Sequence, residues 1–141
     1  MGKNKRLAYL ALAFAVTLAA CAPGDYIGKP KDVDPNLFPA DYKKEILDTL
    51  SGVLTDPTNV RDAFISDPVL SPAGRDQRYT VCIRANERGL NRQYMGSKDR
   101  IAYFYGGRLN QLIEATNEQC AKAAYKPFPE LEKLCHGKKC E

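Results

Sequence analysis

Residues 100–115 have the sequence RIAYFYGGRLNQLIEA, in which two glycines separate two runs of alternating apolar and polar side chains. Two-residue hairpin turns need positive φ angles, which glycine adopts without steric cost. Residues 100–105 and 108–115 are therefore predicted to form two antiparallel strands that turn at Gly106 and Gly107. This hairpin places antiparallel β-structure in the second half of the chain.

Two further strands are predicted before the hairpin. Residues 78–88, RYTVCIRANER, alternate apolar with polar side chains, which indicates a half-buried strand. Residues 61–69, RDAFISDPV, are predicted to form an edge strand, because Pro68 has no N–H to donate to a ladder. We interpret residues 71–74, SPAG, as a turn and residues 89–99 as a loop. The predicted sheet then has roughly four strands.

An amphipathic helix is predicted before the strands and ends at residues 55–57, TDP. Its apolar side chains recur at helical spacing along one stripe: Tyr42, Ile46, Leu47, Leu50, Val53 and Leu54. After the hairpin, Thr116 and Gln119 form a capping box that predicts a short helix over residues 120–125, and residues 129–134 are expected to add another turn. Together these elements predict an α+β fold, with one N-terminal helix packed on an antiparallel sheet and short C-terminal helices.

The first 20 residues have the organisation of an export signal. Lys3, Lys5 and Arg6 make the start positive, and residues 7–18, LAYLALAFAVTL, form an uncharged apolar run. A bilayer core needs about 20 apolar residues, so this run is too short to span it. Three of the 21 basic residues lie here, which leaves 18 basic against 17 acidic side chains in the rest of the chain. Because a nearly neutral domain makes few phosphate contacts, we expect no nucleic-acid partner.

The leader ends in Leu18-Ala19-Ala20-Cys21, which resembles the lipobox of bacterial lipoproteins. The resemblance implies diacylglyceryl transfer to the Cys21 thiol, cleavage before Cys21, and acylation of the freed amine by a fatty acid such as palmitate. Two or three acyl chains give stable membrane attachment, whereas one gives only reversible binding. The alternative is an ordinary secretory leader with a chance cysteine. Ala22 replaces the aspartate that favours inner-membrane retention in enterobacteria-like lipoproteins, so we expect the periplasmic face of the outer membrane.

This interpretation divides the chain into a signal peptide (1–20), a lipidated cysteine with a flexible tether (21–37) and a single periplasmic domain (38–141). The tether is inferred from three prolines, two glycines and no apolar period in residues 22–37. The domain is also similar to small lipoproteins of Alphaproteobacteria. This similarity implies a location in the cell envelope, and no activity is established for the group. This similarity covers residues 78–120 and is based on Tyr79-Thr80-Val81-Cys82-Ile83-Arg84, Gly96-Ser97-Lys98-Asp99, Gly107-Arg108 and Glu118-Gln119-Cys120.

Four cysteines remain once Cys21 is assigned to the lipid: Cys82, Cys120, Cys135 and Cys140. In an oxidising compartment they predict two disulfides, for which three pairings are possible. We favour Cys82–Cys120, which would join a strand to the segment after the hairpin, and Cys135–Cys140, which would close a small C-terminal ring. A metal site at Cys135, His136 and Cys140 is the weaker alternative, because a fourth ligand is missing nearby and the spacing matches no standard zinc module.

The sequence contains no recognisable catalytic arrangement. His136 is the single histidine and lies in the C-terminal tail, which argues against a nucleophile–histidine–acid triad. The carboxylates are scattered, and the only paired glycines lie in a hairpin and not before a helix, where a phosphate loop would need them. We therefore expect no catalytic residue, no metal and no cofactor.

Three arginines, Arg78, Arg84 and Arg88, would share the polar face of residues 78–88 and could contact carboxylates or phosphates of a partner. The favoured alternative is a solvated face balanced by Asp and Glu. The leading functional hypothesis is a non-catalytic envelope protein that binds or supports another envelope protein or a cell-wall component. The second hypothesis is a secreted-enzyme inhibitor or a small ligand-binding lipoprotein that uses the hairpin and residues 89–99, and a hydrolase ranks third.

Overall fold

A computed structural model describes residues 33–134 of the chain. Within this range the backbone forms two helices and six strands, which confirms the α+β class. In chain order they are α1 (Tyr42–Val53), β1 (Arg61–Ile65), β2 (Val69–Ala73), β3 (Asp76–Arg88), β4 (Tyr94–Tyr105), β5 (Arg108–Glu114), β6 (Lys126–Pro127) and α2 (Pro129–Glu132). None of the helices in this range is long and apolar enough to cross a membrane.

All six strands belong to one sheet, whose paired strands are antiparallel, in the order β5-β4-β3-β1-β6, while β2 pairs with β3 alone. β3 is long enough to pair with β1 near its C-terminal end and with β2 near its N-terminal end. The prediction of four strands is therefore wrong. Residues 71–74 are not simply a turn, because Ser71, Pro72 and Ala73 belong to β2, and Pro72 is tolerated there because β2 has only one partner strand. β1 is not an edge strand either, since β6 pairs with its other side.

The hairpin between β4 and β5 is confirmed, with Tyr105 paired to Arg108 across the two-residue turn. Gly106 has a φ of 56° and Gly107 a φ of 76°, the left-handed values that the turn demands. Residues 33–37, which the sequence assigns to the tether, lie against this turn, where the Gly106 N–H donates to the carbonyl of Pro35 at 3.2 Å. Residues 33–37 are therefore in contact with the β4–β5 turn.

The main core lies on the sheet face that packs against α1. Ile46 and Leu50 of the helix are buried against strand residues such as Phe104, and Tyr42 and Leu47 are partly buried beside them. Val53 is 64% exposed, so its place in the predicted apolar stripe is wrong. The buried members of this cluster are Ile46, Leu50, Leu54, Val60, Ala63, Ile65, Val81, Ile83, Ala85, Ala102, Phe104, Phe128 and Leu131.

The opposite face of the sheet is covered by residues 116–125, which form turns at residues 117–122 and no helix. The predicted helix over residues 120–125 is wrong, although one capping contact exists: the Thr116 N–H donates to Gln119 Oε1 at 2.8 Å. So short a helix has few internal hydrogen bonds to support it, and tertiary contacts determine the path instead. The main one is a disulfide between Cys82 of β3 and Cys120, as predicted. The two cysteines and Ile101 form a second buried cluster on this face of the sheet.

α2 is a single turn of helix held against β1. The Phe128 N–H donates to the carbonyl of Ala63 at 2.8 Å, and Glu132 Oε1 accepts from the Ala63 N–H at 3.0 Å. Ala63 lies at a β-bulge in β1, where Asp62 has a φ of 52° and the ladder to β3 is interrupted. The carboxylate of Glu132 thus satisfies a backbone donor that the bulge removes from the sheet.

Candidate functional site

The three arginines predicted to contact an anion lie along β3, and each is paired with its own carboxylate. Arg78 is 3.0 Å from Asp76 and its guanidinium lies 5.0 Å from the ring centroid of Tyr105. Arg88 is 2.9 Å from Asp56. Because β-strands rise about 3.3 Å per residue, Arg78 and Arg84 are about 20 Å apart. The structure therefore does not bring the three into one anion site, and a partner contact by any of them stays a prediction.

Arg84 is the most fully engaged of these arginines. Its Nε and Nη2 donate to the two carboxylate oxygens of Asp99 at 2.7 and 2.8 Å, and its guanidinium lies 4.5 Å from the ring centroid of Tyr125. The hydrogen bond from Arg84 lowers the pKa of Asp99. Burial, together with the neighbouring Asp99 carboxylate, raises the pKa of Tyr125 to about 12. This cluster joins the sheet to the covering segment beside the disulfide, and a polar cavity of about 490 Å³ lies next to it.

A different surface is formed where β3 turns into β4, at residues 89–93, which we call the tip. The Gly89 N–H donates to the carbonyl of Gln93 at 3.0 Å, and the Arg92 N–H donates to the carbonyl of Gly89 at 2.9 Å. Asn91 Oδ1 accepts from the Gln93 N–H at 3.1 Å. Within this hydrogen-bonded loop the side chain of Leu90 is 94% exposed, the highest exposure among the large apolar residues that the structure describes. The tip therefore presents an apolar side chain on a preformed backbone.

The tip is connected to the segment between α1 and β1. Tyr94, the first residue of β4, donates its hydroxyl to the carbonyl of Asn59 at 2.9 Å, and Arg61 lies 4.3 Å from the Tyr94 ring centroid. The Arg88–Asp56 ion pair makes a second connection. Between the tip and this segment lies an open groove of about 510 Å³, lined in part by Asp56, Asn59, Arg88, Leu90 and Arg92. A protein surface with an apolar pocket and acidic groups would be complementary to this arrangement.

Several predicted site residues lie outside residues 33–134. These are the lipidation site Cys21, the second cysteine pair Cys135 and Cys140, and His136, so lipidation, the second disulfide and the metal alternative stay predictions. Among the described residues, no group of three His, Cys, Asp or Glu side chains is arranged to hold a metal ion.

Comparison with models of protein families, with curated proteins and with solved structures finds no match to this chain. The similarities to lipobox-containing proteins and to small lipoproteins of Alphaproteobacteria therefore stay predictions from the sequence.

The exposure of Leu90 is not predicted from the sequence. The prediction of a loop over residues 89–99 is wrong, because β4 begins at Tyr94 and only five residues, 89–93, connect it to β3. Leu90 is the one aliphatic residue in the polar run ERGLNRQ, residues 87–93, and follows a glycine. An aliphatic side chain next to glycine in a short polar connection is the available sequence signal for this exposure.

Proposed function

We propose that this chain is a lipid-anchored envelope protein whose non-catalytic domain binds another envelope component through the tip. The observation that carries the proposal is the exposure of Leu90 on a loop whose backbone is already hydrogen-bonded. Burying a leucine side chain in a partner is favourable by about 1.5–3 kcal/mol. Because the loop is preformed, less of that gain is lost to ordering when the partner binds.

The position of the tip within the domain supports a role in display. The described chain begins at Val33, beside the β4–β5 turn, whereas the tip lies at the other end of β4. A strand of 12 residues such as β4 is about 40 Å long. With an anchor at Cys21, the tip would lie at the far end of the sheet from the tether, where a partner in the periplasm could reach it.

The anchoring half of the proposal is tested by metabolic labelling with palmitate, with and without globomycin, followed by envelope fractionation. The expected result is a labelled protein in the membrane fraction, a larger precursor under globomycin, and no label in a Cys21→Ala variant. An unlabelled protein, or label that persists in Cys21→Ala, contradicts the anchor.

The binding half is tested by crosslinking on intact envelopes, comparing Leu90→Ser with Val53→Ser. Val53 is the matched control, because it is also an exposed apolar residue but lies on α1. Recovery of one stoichiometric envelope partner that is lost in Leu90→Ser and retained in Val53→Ser supports the proposal. Equal recovery with both variants would show that the tip is not the binding surface.

A second candidate function, inhibition of a secreted enzyme, is supported by the same exposed loop. An inhibitor presents a side chain to the enzyme's cleft from a loop held by its scaffold, and the hydrogen bonds within residues 89–93 provide such support. The two candidates are separated by the identity of the crosslinked partner: a hydrolase whose activity falls on addition of the protein favours inhibition. A non-enzymatic envelope protein favours the leading proposal.

A further inference from the structure

The end of the domain where the described chain begins carries an apolar surface, which we call the proximal end. It consists of residues 33–38 together with the β2–β3 turn at Gly74 and the β4–β5 turn at Gly106. Five of the exposed large apolar side chains lie here, each between 41% and 54% exposed: Val33, Leu37, Phe38, Leu70 and Tyr105. Contiguous apolar surface of this kind marks an interaction site more often than scattered residues do.

Four of these side chains, Val33, Leu37, Phe38 and Leu70, are linked across neighbouring elements on the sheet face that packs against α1, whereas Tyr105 follows Phe104 in β4 and so lies on the other face. A Cβ at Gly106 would lie 2.5 Å from Val33, and a Cβ at Gly107 would lie 3.2 Å from Leu37, so both side chains cover the turn. Next to them, the ring of Phe38 meets the ring of Tyr79 edge-on, with centroids 5.3 Å apart. Leu70 is paired with Tyr79 across the β2–β3 ladder and extends the surface further.

The backbone under this surface is fixed by local hydrogen bonds. The Leu37 N–H donates to the carbonyl of Asp34 at 3.2 Å, and the Asn36 N–H donates to Asp34 Oδ1 at 2.9 Å. The Gly106 N–H donates to the carbonyl of Pro35, as described above. The apolar side chains are therefore presented on a preformed turn, and binding through them needs little additional ordering.

We infer that the proximal end rests on the surface of the membrane that holds the acyl chains, with Leu37, Phe38 and Leu70 at the boundary between headgroups and acyl chains. This inference rests on the proposed lipid anchor. Eleven residues, 22–32, separate Cys21 from Val33. Even fully extended they reach about 40 Å, so the anchor keeps the proximal end close to the bilayer. At such a high effective concentration, even a weak apolar contact is occupied.

The charges at this end indicate which lipid chemistry is recognised. The nearby cations Lys44, Arg78 and Arg108 are paired with Asp48, Asp76 and Glu45 respectively. Asp34 and Asp41 add negative charge, which Arg75 offsets only in part. Attraction to anionic headgroups therefore contributes little, and the contact depends on aromatic and aliphatic side chains at the interface. We expect binding to phosphatidylcholine that changes little with salt concentration.

The absence of tryptophan from the chain provides a direct test. Phe38→Trp would introduce a single tryptophan at the proximal end, and Leu90→Trp would introduce one at the tip as the matched control. Each full-length lipidated variant is reconstituted in phosphatidylcholine vesicles with brominated acyl chains, which quench a tryptophan that lies close to the bromine atoms. The bromines are placed near the start of the acyl chains, because interfacial apolar side chains are buried about 5–10 Å into the boundary between headgroups and acyl chains. The tryptophan at position 38 is expected to lose most of its emission and shift to the blue, while the tryptophan at position 90 keeps its emission.

The outcomes separate this inference from the proposed function. A labelled, lipidated protein with no quenching at position 38 overturns the membrane contact and leaves the anchor standing. Equal quenching at both positions also overturns it, because the domain then has no preferred orientation. If Cys21 carries no acyl chain, both proposals fail. Leu37→Trp is a second probe in case Phe38→Trp disturbs the contact with Tyr79, and thermal unfolding identifies a variant that is not folded.

Discussion

The carboxylate of Asp99 accepts two hydrogen bonds from the guanidinium of Arg84, across the paired strands β3 and β4. Hydrogen bonds between charged groups contribute more to stability than neutral ones, and this pair is partly buried under Tyr125. Asp99→Asn is expected to lower the free energy of unfolding by about 1–2 kcal/mol, measured by urea titration. In a cycle with Arg84→Met, the double variant should lose less than the sum of the single variants. Additive losses would show that the pair makes no direct contribution.

The Asp99 carboxylate also makes the free energy of unfolding depend on pH in the acidic range. Arg84 lowers the pKa of Asp99 in the folded state, so the unfolded state binds the proton more readily. The stabilisation is present above the unfolded pKa of about 4 and is lost as the pH falls through the lower folded pKa. Urea midpoints measured between neutral and acidic pH should therefore fall less steeply in Asp99→Asn than in the wild-type protein. Parallel curves would contradict the assigned role of Asp99.

Tyr125 makes the free energy of unfolding depend on pH in the alkaline range, where stability is lost as the pH rises. Burial and the neighbouring Asp99 carboxylate raise its pKa to about 12, from 10.0. The folded state therefore holds the phenolic proton more tightly, and stability is present below pH 10 and lost as the pH rises toward the folded pKa. Absorbance of tyrosinate should show a late-titrating tyrosine that is missing in Tyr125→Phe. Tyr103→Phe is the control, because it removes a different hydroxyl from the same face, one that contacts Gln119. This variant should keep the late-titrating tyrosine.

The disulfide between Cys82 and Cys120 closes a long segment of chain, with a sequence separation of 38. Loop-closure entropy for this separation gives a stabilisation of about 4 kcal/mol. A Cys82→Ser, Cys120→Ser double variant should therefore unfold at a much lower urea concentration than the wild-type protein, each measured without reductant. A difference below about 1 kcal/mol would indicate that the covering segment is held mainly by packing.

Gly106 is expected to resist substitution. It has a φ of 56°, and a Cβ there would lie 2.5 Å from Val33 Cγ1. Gly106→Ala should destabilise the domain by about 1–2 kcal/mol from the left-handed backbone alone, and more if Val33 cannot move. Gly52→Ala in α1 is the matched control, because no atom lies within 4 Å of its Cβ position. That change should be neutral or stabilising by up to about 1 kcal/mol, so destabilisation by both variants would contradict this explanation.

Local chemistry made the β4–β5 hairpin predictable, since the positive φ at Gly106 and Gly107 depends on the residues of the turn themselves. The alternation of residues 78–88 identified β3 in the same way, but a period of two indicates only one buried face. Thr80 and Cys82, on the other face, are buried as well. The segment that covers this face lies after β5, far along the chain, and its contacts with β3 leave no trace in a local pattern.

The two strands that the sequence does not predict and the exposure of Leu90 have similar causes. β2 contains Pro72 and precedes Gly74, so its residues resemble a turn until β3 is available as a partner. β6 has only two residues and exists because β1 lies beside it. An apolar residue such as Leu90 is expected in the core, whereas its exposure depends on where β3 ends and β4 begins.

The Cys82–Cys120 bond also determines what a protease could do to this protein. The residues between the two cysteines include the tip, so a cut beside Leu90, which is 94% exposed, would fall inside a covalent ring. Cleavage beside Leu90 or Arg92 would open that ring into two fragments that remain linked through sulfur. If Cys21 carries the proposed acyl chains, the N-terminal fragment would hold the severed remainder on the membrane until the sulfur–sulfur bond was reduced.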